Sequence, residues 1–571
     1  MVRVEQYDVI IVGAGLAGCQ AAGECAGHGL KTLVLSKLHP LRSHSGAAQG
    51  GINASIREAG PELHIEDTLK GGAGIADFQA VQFMCSIAPA AVKRFEALGA
   101  FFTKNQDGFI AQRPFGGQSV DRTCYAADRT GLTLLQTSFE YAQKAGALFL
   151  DQVYVQDLLW DSNESRAYGV TGLHLDSGDF GVYGARAVIC ATGGYGRAFK
   201  HNSNAHANTG DALSIMLRKG IPLEDMEFVQ FHPTGLAESG ILFSEAARGE
   251  GGVLLNALGE RFMERYDSGR LELAPRDIVS RAIAKEIEEG RGAGEKGDAV
   301  YLDLTSLPEQ VIRKRLPELC DLAETFQKVD LHKSPVLVSP TAHYSMGGIP
   351  TDIRCRVRLS SDRITNGLYA AGECACLSVH GANRLGGNSL LEAAVFGREA
   401  GFSVIRDIES FDYRKVYPRM ADSAKKEVER LYADNADAEG EGYTVADIRK
   451  RLREVMTGNA GIFRNEEKLE EASSVIDSLR KSYMNIRIQD SSRAYNTELQ
   501  EALELSHMLD YSRAITEAAK FRTESRGAHW RSDMPERRDD IWQCHTLVYM
   551  KPDGWSVLCM SADTKRRETV I

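Results

Sequence analysis

Gly13, Gly15 and Gly18 stand between an apolar run, Tyr7 to Val12, and an alanine-rich stretch. At these three places glycine allows a tight turn, lets the backbone approach a pyrophosphate, and lets helix and strand pack closely. The helix N-terminus behind them supplies partial positive charge. A second short apolar run, Thr32 to Leu35, completes a βαβ opening, so a dinucleotide is expected against Gly13, Ala14 and Gly15. The nicotinamide form of this fingerprint carries an acidic residue about 20 positions on, where this chain has Ser36 and Lys37. That departure argues against a plain nicotinamide cofactor. Residues 42–55, RSHSGAAQGGINAS, follow. The small residues from Ser43 through Ala48, Gln49, Gly50 and Gly51 would let N–H groups approach a ring system, and His44 lies where a flavin ring rather than an adenine belongs. Taken alone, His44 reads as a satisfied loop histidine.

The elements that must position these residues recur downstream. Further βα signals occur at Ala187 to Gly196 and Gly367 to Glu373, with a different texture of loops and short helices between them. The order fits an α/β fold: a Rossmann-like domain, 1–230 plus 351–411, interrupted by an inserted α+β capping domain, 231–350. From about 412 to 520 the chain is charged with helical periodicity, as in Lys468 to Leu479 and Ser492 to Leu509, which predicts a helical domain. A small C-terminal domain, 521–571, is dense in Arg, Asp and Trp.

Composition bounds the rest. The 571 residues are 43% hydrophobic and 25% charged, as in a globular protein, and acidic residues outnumber basic ones to give a net charge of −11. That balance argues against nucleic acid or an anionic membrane surface as main partner. No run of about 20 apolar residues predicts a bilayer span, and the N-terminus shows no signal-peptide pattern. The 11 cysteines lack any CxxC, so neither a structural metal nor an iron–sulfur cluster held by this chain alone is expected. The protein reads as cytoplasmic.

The motifs taken together resemble the flavoprotein subunits of succinate dehydrogenase and quinol:fumarate reductase. RSHS at 42–45, QRPFGGQS at 112–119, ADRTG at 127–131, ATGG at 191–194 and NTGD at 208–211 carry the likeness, as do QFHPTG at 230–235, SEAARGEGG at 244–252 and PRD at 275–277. HYSMGGI at 343–349, AGE at 371–373, HGANRLGGNSLLEA at 380–393, NTEL at 496–499 and ESRGAH at 524–529 extend it over essentially the whole chain. The resemblance implies FAD attached covalently at His44, and hydride transfer that interconverts fumarate and succinate. It maps Ser36, Lys37, Thr192, Gly193, Asp211, Glu373, Arg384, Asn388, Ser389 and Leu390 onto FAD-contacting positions, with Asn388 and Ser389 in the turn before a helix beginning at Leu390.

A small dianion requires cations and donors that converge, and His232, His343 and Arg384, each in a glycine-flanked loop, are candidates. Arg384 can hold a carboxylate bidentately. By resemblance these three bind the substrate with Ser244, where threonine is usual, and Phe115 and Gly51 lie close to it. Arg276 matches the family's proton donor, and Glu245 and Arg248 its relay. The plainer reading of Arg276 is a helix-start ion pair with Asp277.

The resemblance further implies an iron–sulfur subunit and a membrane anchor that binds quinone, with haem b in some members. This chain would then be peripheral on the cytoplasmic side of the inner membrane. The arginines at 522, 526, 531, 537 and 538 could serve that docking or form an intramolecular ion-pair network. Fumarate reduction is slightly favoured as the physiological direction. Two competing readings are an L-aspartate oxidase, which holds FAD without a covalent bond, and a non-catalytic flavin-binding assembly module.

Overall fold

The computed structural model describes residues 2–57, 60–432 and 443–562. Its centre is an eight-stranded sheet built on the strand Arg3–Val12. That strand runs parallel to Thr32–Leu35 on one side and Phe180–Cys190 on the other, and Thr32–Leu35 pairs in parallel with Leu148–Leu150. The second half of Phe180–Cys190 pairs in parallel with Ile364–Ala370, while its first half carries the antiparallel pair Arg166–His174 and Val153–Asp161. Val9, Ile10 and Ile11 are fully buried, as a branched apolar run covered on both faces requires. The helix Leu16–Gly27 packs against Asn388–Asp407 and Thr130–Lys144.

Val12, Leu35, Cys190 and Ala370 all end at the same edge of this sheet. The turns that follow them therefore gather there, at the carboxyl ends of parallel strands where open α/β sheets bind ligands.

Between the last two parallel strands lies a four-stranded antiparallel sheet, in the order Val229–Leu236, Val336–Ser345, Val300–Asp303, Val253–Leu255. The helix Arg276–Glu288 lies against Val229–Leu236, and Leu254, Phe262, Ile283, Leu302 and Val338 form a core separate from that of the main sheet.

The helical part comprises Asp422–Tyr432, Val445–Asn459, Glu466–Tyr483 and Thr497–Phe521. The last begins at Thr497 rather than at Ser492. The side chain of Asn496 accepts the Leu499 N–H at 2.8 Å, and this N-cap fixes where the helix starts. A terminal hairpin, Cys544–Lys551 and Gly554–Ser561, pairs with Leu223–Glu224 from the first part of the chain. The fold is thus a Rossmann-like domain with an inserted α+β cap, a helical domain and a small C-terminal part.

The terminal arginines turn inward. Arg522 is fully buried against Glu227 at 2.6 Å, Arg526 pairs with Glu524, and Arg531 pairs with Glu466 and Asp533. Arg537 pairs with Asp539 at the surface. For Arg522, Arg526 and Arg531 the intramolecular network is the outcome, because each is buried against carboxylates of its own chain.

Candidate active site

A cavity of about 610 Å³ lies where the main sheet's carboxyl edge meets the cap. One end is walled by the turns after the parallel strands, Gly13 to Gly15, Ser36 and Lys37, Thr192 and Gly193, and Gly372 and Glu373. Backbone conformation forces glycine at Gly13, where φ is +107° and a Cβ would stand 2.3 Å from the Ala191 carbonyl oxygen. Gly18 stands off the wall. Its missing Cβ would meet the Gly13 carbonyl oxygen at 2.0 Å, so it serves helix–strand packing as its place in the fingerprint requires.

Lys37 is sequestered more fully than its sequence context suggests. Its ammonium meets Asp211 at 2.7 Å, Glu504 at 3.0 Å and the Thr209 hydroxyl at 2.7 Å. Burial opposes its charge, but the two carboxylates outweigh that and raise its pKa. Asp211 is held below the usual carboxylate range: burial opposes this, and Lys37 and His507 prevail.

His44 lines the wall with Ser43, Ala48, Gln49, Gly50 and Gly51. Its Nδ1 accepts the Ala205 N–H at 3.3 Å, and burial pushes its pKa down to about 4, so the imidazole is neutral near pH 7. Gly51 has φ +136°, and a Cβ there would come within 2.6 Å of the Cys124 carbonyl oxygen. A Cβ on Gly50 would stand 2.7 Å from the Phe115 ring, so the loop and the ring are in close contact. Arg113 donates to the carbonyls of Gly50 and Gln49, which fixes the loop from behind.

Beside this loop the cap brings its polar residues together. His232 and His343 stand edge to face, ring centroids 5.1 Å apart. Both are neutral: burial and then Arg276 hold their pKa values well below the ordinary range. His232 Nδ1 accepts the Thr234 N–H at 3.2 Å, which leaves Nε2 as the protonated nitrogen. His343 shares a 2.8 Å hydrogen bond with the Ser203 hydroxyl. Ser244, Phe115 and Arg384 line the same region.

Arg276 does not pair with Asp277. Its Nε and Nη2 lie 2.8 Å from Glu245 Oε2, whereas Asp277 engages Arg281 and Asn383. The helix Arg276–Glu288 turns these neighbouring side chains to different faces, and the buried carboxylate takes the guanidinium. Burial raises the Glu245 pKa, but Arg276, Arg248 and the Gly116 N–H outweigh it and keep the carboxyl ionised. Arg248 lies behind Glu245 at 3.8 Å and off the cavity wall, its Nη1 hydrogen-bonded to the Glu272 carbonyl.

Asn388 opens a helix that the sequence places from Leu390. The helix begins at Asn388 itself, capped by Gly387 with φ +84°, and the side chain turns away from the cavity. There it accepts from Asn53 and His64 and donates to Thr68, at 2.8–3.0 Å. Its first-turn neighbours Ser389 and Leu390 do line the wall.

Residues 8–390 match the family described as FAD binding domain, and residues 449–565 match the one described as fumarate reductase flavoprotein C-term. The chain is 43% identical to the succinate dehydrogenase flavoprotein subunit of Rickettsia bellii, over 97% of this chain and 94% of that one. It is 38% identical to the fumarate reductase flavoprotein subunit of Haemophilus influenzae, over 96% and 92%. A variant of the Escherichia coli quinol fumarate reductase superposes with a TM-score of 0.93 at 36% identity, covering 98% of this chain and 97% of that one. The chain belongs to the succinate dehydrogenase/fumarate reductase flavoprotein family.

The cavity of this family member fits FAD on its own chemistry. The Ser43 hydroxyl, Gln49 Oε1 and Asn208 Nδ2 are buried on its wall with no hydrogen-bond partner among the described residues, as groups shaped for a polar ligand are. Glu373 is pushed up to about 8, by burial above all, and accepts the Ser345 N–H at 3.0 Å. A carboxyl in that state can donate to or accept from a sugar hydroxyl. Other members of the site gave weaker signals in the sequence. Gln230 opens the QFHPTG motif, and its Oε1 receives Arg276 at 3.2 Å and Arg384 at 3.1 Å. Ser203, Asn204 and Glu504 come from segments whose motifs do not announce them.

Proposed function

We propose that the chain is the catalytic flavoprotein subunit of an enzyme that interconverts fumarate and succinate. One observation carries this reading: Arg276, fixed on Glu245, shares one cavity with His232, His343, Ser244 and Arg384. FAD bound along the wall from Gly13 to Leu390 would supply the hydride-accepting and hydride-donating chemistry. Everything else falls to the protein.

Arg384 receives one substrate carboxylate in its guanidinium fork, and the neutral N–H groups of His232 and His343 with the Ser244 hydroxyl receive the other. Phe115 and the Gly50–Gly51 loop exclude water from the apolar middle of the substrate. Arg276 uses Nε and one N–H of Nη2 on Glu245, and Nη1 reaches Gln230. Its remaining N–H bonds are free to deliver a proton to the substrate carbon next to the one that gains hydride. Glu245 replaces that proton as it leaves by passing on one it takes from Arg248, whose own proton bulk water restores, so no lasting neutral guanidinium forms and Glu245 is ionised again between turnovers. Succinate oxidation runs the same path backwards.

His44, neutral and on the cavity wall, would be the residue that holds FAD covalently. Electrons pass to or from an iron–sulfur subunit and a membrane anchor that binds quinone, a reading supported by the likeness to a quinol fumarate reductase. The assembly places this chain at the cytoplasmic face of the inner membrane, with residues 231–350 as the cap over the substrate. Both directions use the same side chains. The lean toward fumarate reduction in the sequence rests on no feature of this geometry.

The test is turnover of the purified flavoprotein with succinate and an oxidised dye, and with fumarate and a reduced viologen. Activity in both supports the reading. Aspartate oxidation with neither of these activities would overturn it in favour of an aspartate oxidase, and flavin binding without turnover in favour of an assembly module.

A further inference from the structure

Arg384 is 3% exposed, yet among the described residues no carboxylate lies within ion-pair distance of it. Its Nη2 reaches Gln230 Oε1 at 3.1 Å and its Nη1 reaches the Leu385 carbonyl at 3.4 Å, while Nε has no partner among the described residues. Burial and then the like charge of Arg276 push its pKa down to about 9. A desolvated cation needs some counterweight. Its guanidinium carbon sits 4.3 Å from the centroid of the Tyr344 ring. Tyr344 is itself buried, and its hydroxyl donates to Glu392 Oε2, which also meets His380 Nε2 at 3.1 Å. The Tyr344 and His380 rings stand edge to face, centroids 5.4 Å apart.

The order of these groups matters. A carboxylate placed directly on Arg384 would fill its fork and compete with a substrate. An aromatic face attracts the cation through its plane and leaves the in-plane N–H donors open. A carboxylate hydrogen-bonded to the phenol polarises the ring and strengthens that attraction. Burial and Glu392 raise the Tyr344 pKa well above the ordinary value, so the hydroxyl stays a donor.

We propose that Tyr344, backed by Glu392 and His380, is a positioning residue that holds Arg384 charged and open-forked for a carboxylate of the substrate. The inference rests on the role given to Arg384 above.

The experiment compares wild type with Tyr344→Phe, Tyr344→Leu and Glu392→Gln, measuring KM and kcat for fumarate and Kd for malonate as an unreactive dicarboxylate. Tyr344→Phe keeps the ring and loses Glu392, and KM and Kd rise about 3-fold; Tyr344→Leu removes the ring, and they rise about 10- to 30-fold, the range of a desolvated cation–π contact. In both, kcat stays within about 3-fold, because the contact serves binding. Glu392→Gln matches Tyr344→Phe, and the double variant is no worse than either, since both cut one coupled link. Unchanged KM and Kd in the Tyr344 variants, or a fall in kcat and flavin content without a KM change, overturns the inference. If Tyr344→Leu does not fold, the Tyr344→Phe and Glu392→Gln cycle decides it. Wild-type protein that neither binds malonate nor turns over fumarate instead overturns the reading of the pocket itself.

Discussion

Nε and Nη2 of Arg276 both lie 2.8 Å from a single oxygen of Glu245, Oε2, while Oε1 of the same carboxylate takes the Gly116 N–H at 2.6 Å. One oxygen is thereby committed to the guanidinium and the other to the backbone. A carboxylate held from both sides cannot rotate away from the arginine between proton transfers, so the pair acts as a unit.

Changing either member should therefore give similar losses. Arg276→Lys keeps a positive charge but loses the fork, and Glu245→Gln keeps the shape but cannot carry a proton. Each is expected to lower kcat for fumarate reduction by about 10²- to 10⁴-fold, the usual span for a lost acid–base group. The double variant should be little worse than the singles. Steady-state kinetics with reduced viologen checks this, and losses that multiply in the double variant would argue for independent roles.

His44→Ser should retain FAD in native protein and release it on acid precipitation, whereas wild type keeps flavin in the pellet on the peptide that contains His44. Succinate oxidation should fall more than fumarate reduction, because a flavin without the bond is a weaker oxidant. Equal losses in both directions would count against this account.

His545 makes stability depend on pH. Its Nδ1 lies 2.6 Å from Asp225 Oδ2 and 3.6 Å from Glu224, with Ser378 at 3.4 Å and the charge of Arg522 acting against it. Burial opposes protonation, but Asp225 and Glu224 prevail and raise its pKa from 6.5 to about 9. Because the folded value is the higher, the charged pair's contribution is complete below about pH 6.5 and fades as pH rises through about 9. The shift corresponds to roughly 3 kcal/mol. Melting curves from pH 6.5 to 10 should show wild type losing this increment and His545→Gln lacking it throughout. Parallel curves for the two proteins would refute the assignment.

Arg522 is fully buried and bonds Glu227 at 2.6 Å and the Trp542 and Cys544 carbonyls at 3.1 and 2.7 Å. Arg522→Ala strands the Glu227 charge, a change that costs about 3–5 kcal/mol when a buried pair is broken. The variant should melt about 2–4 °C below wild type. KM for fumarate in the folded fraction should be unchanged, because the pair lies outside the cavity wall. A melting point within a degree of wild type would show the pair to be dispensable.

What the sequence made legible was local. Gly13 and Gly18 announced a turn and a packing contact because the positive φ of the one is local and the other packs on the Gly13 carbonyl five residues back, and the buried strand Tyr7 to Val12 followed from its own composition. The convergence of His232, His343 and Arg384 was legible through motifs in glycine-flanked loops. Hidden were contacts whose partners are far apart in the chain. Nothing in Gln230 foretells that it joins Arg276 to Arg384, and nothing in the second strand foretells that Lys37 meets Glu504. Asn388 shows how a helix boundary shifts. The sequence puts Asn388 and Ser389 in a turn before Leu390, whereas the helix starts two residues earlier, and the Asn388 side chain meets Asn53, His64 and Thr68.

The Lys37–Glu504 link bears on the order in which the protein can be made. The wall of the cavity is drawn from Val12 through Ala393, and its buttress comes from the last long helix. The ribosome delivers about 5–20 residues per second, so the glycine fingerprint emerges long before most of the wall it belongs to. A nascent chain carrying only its first third exposes Lys37 with neither Asp211 nor Glu504 to meet it. Flavin loading should on this account wait for the nearly complete polypeptide, and a truncation that removes the helix Thr497–Phe521 should impair it while leaving every residue on the cavity wall in the sequence.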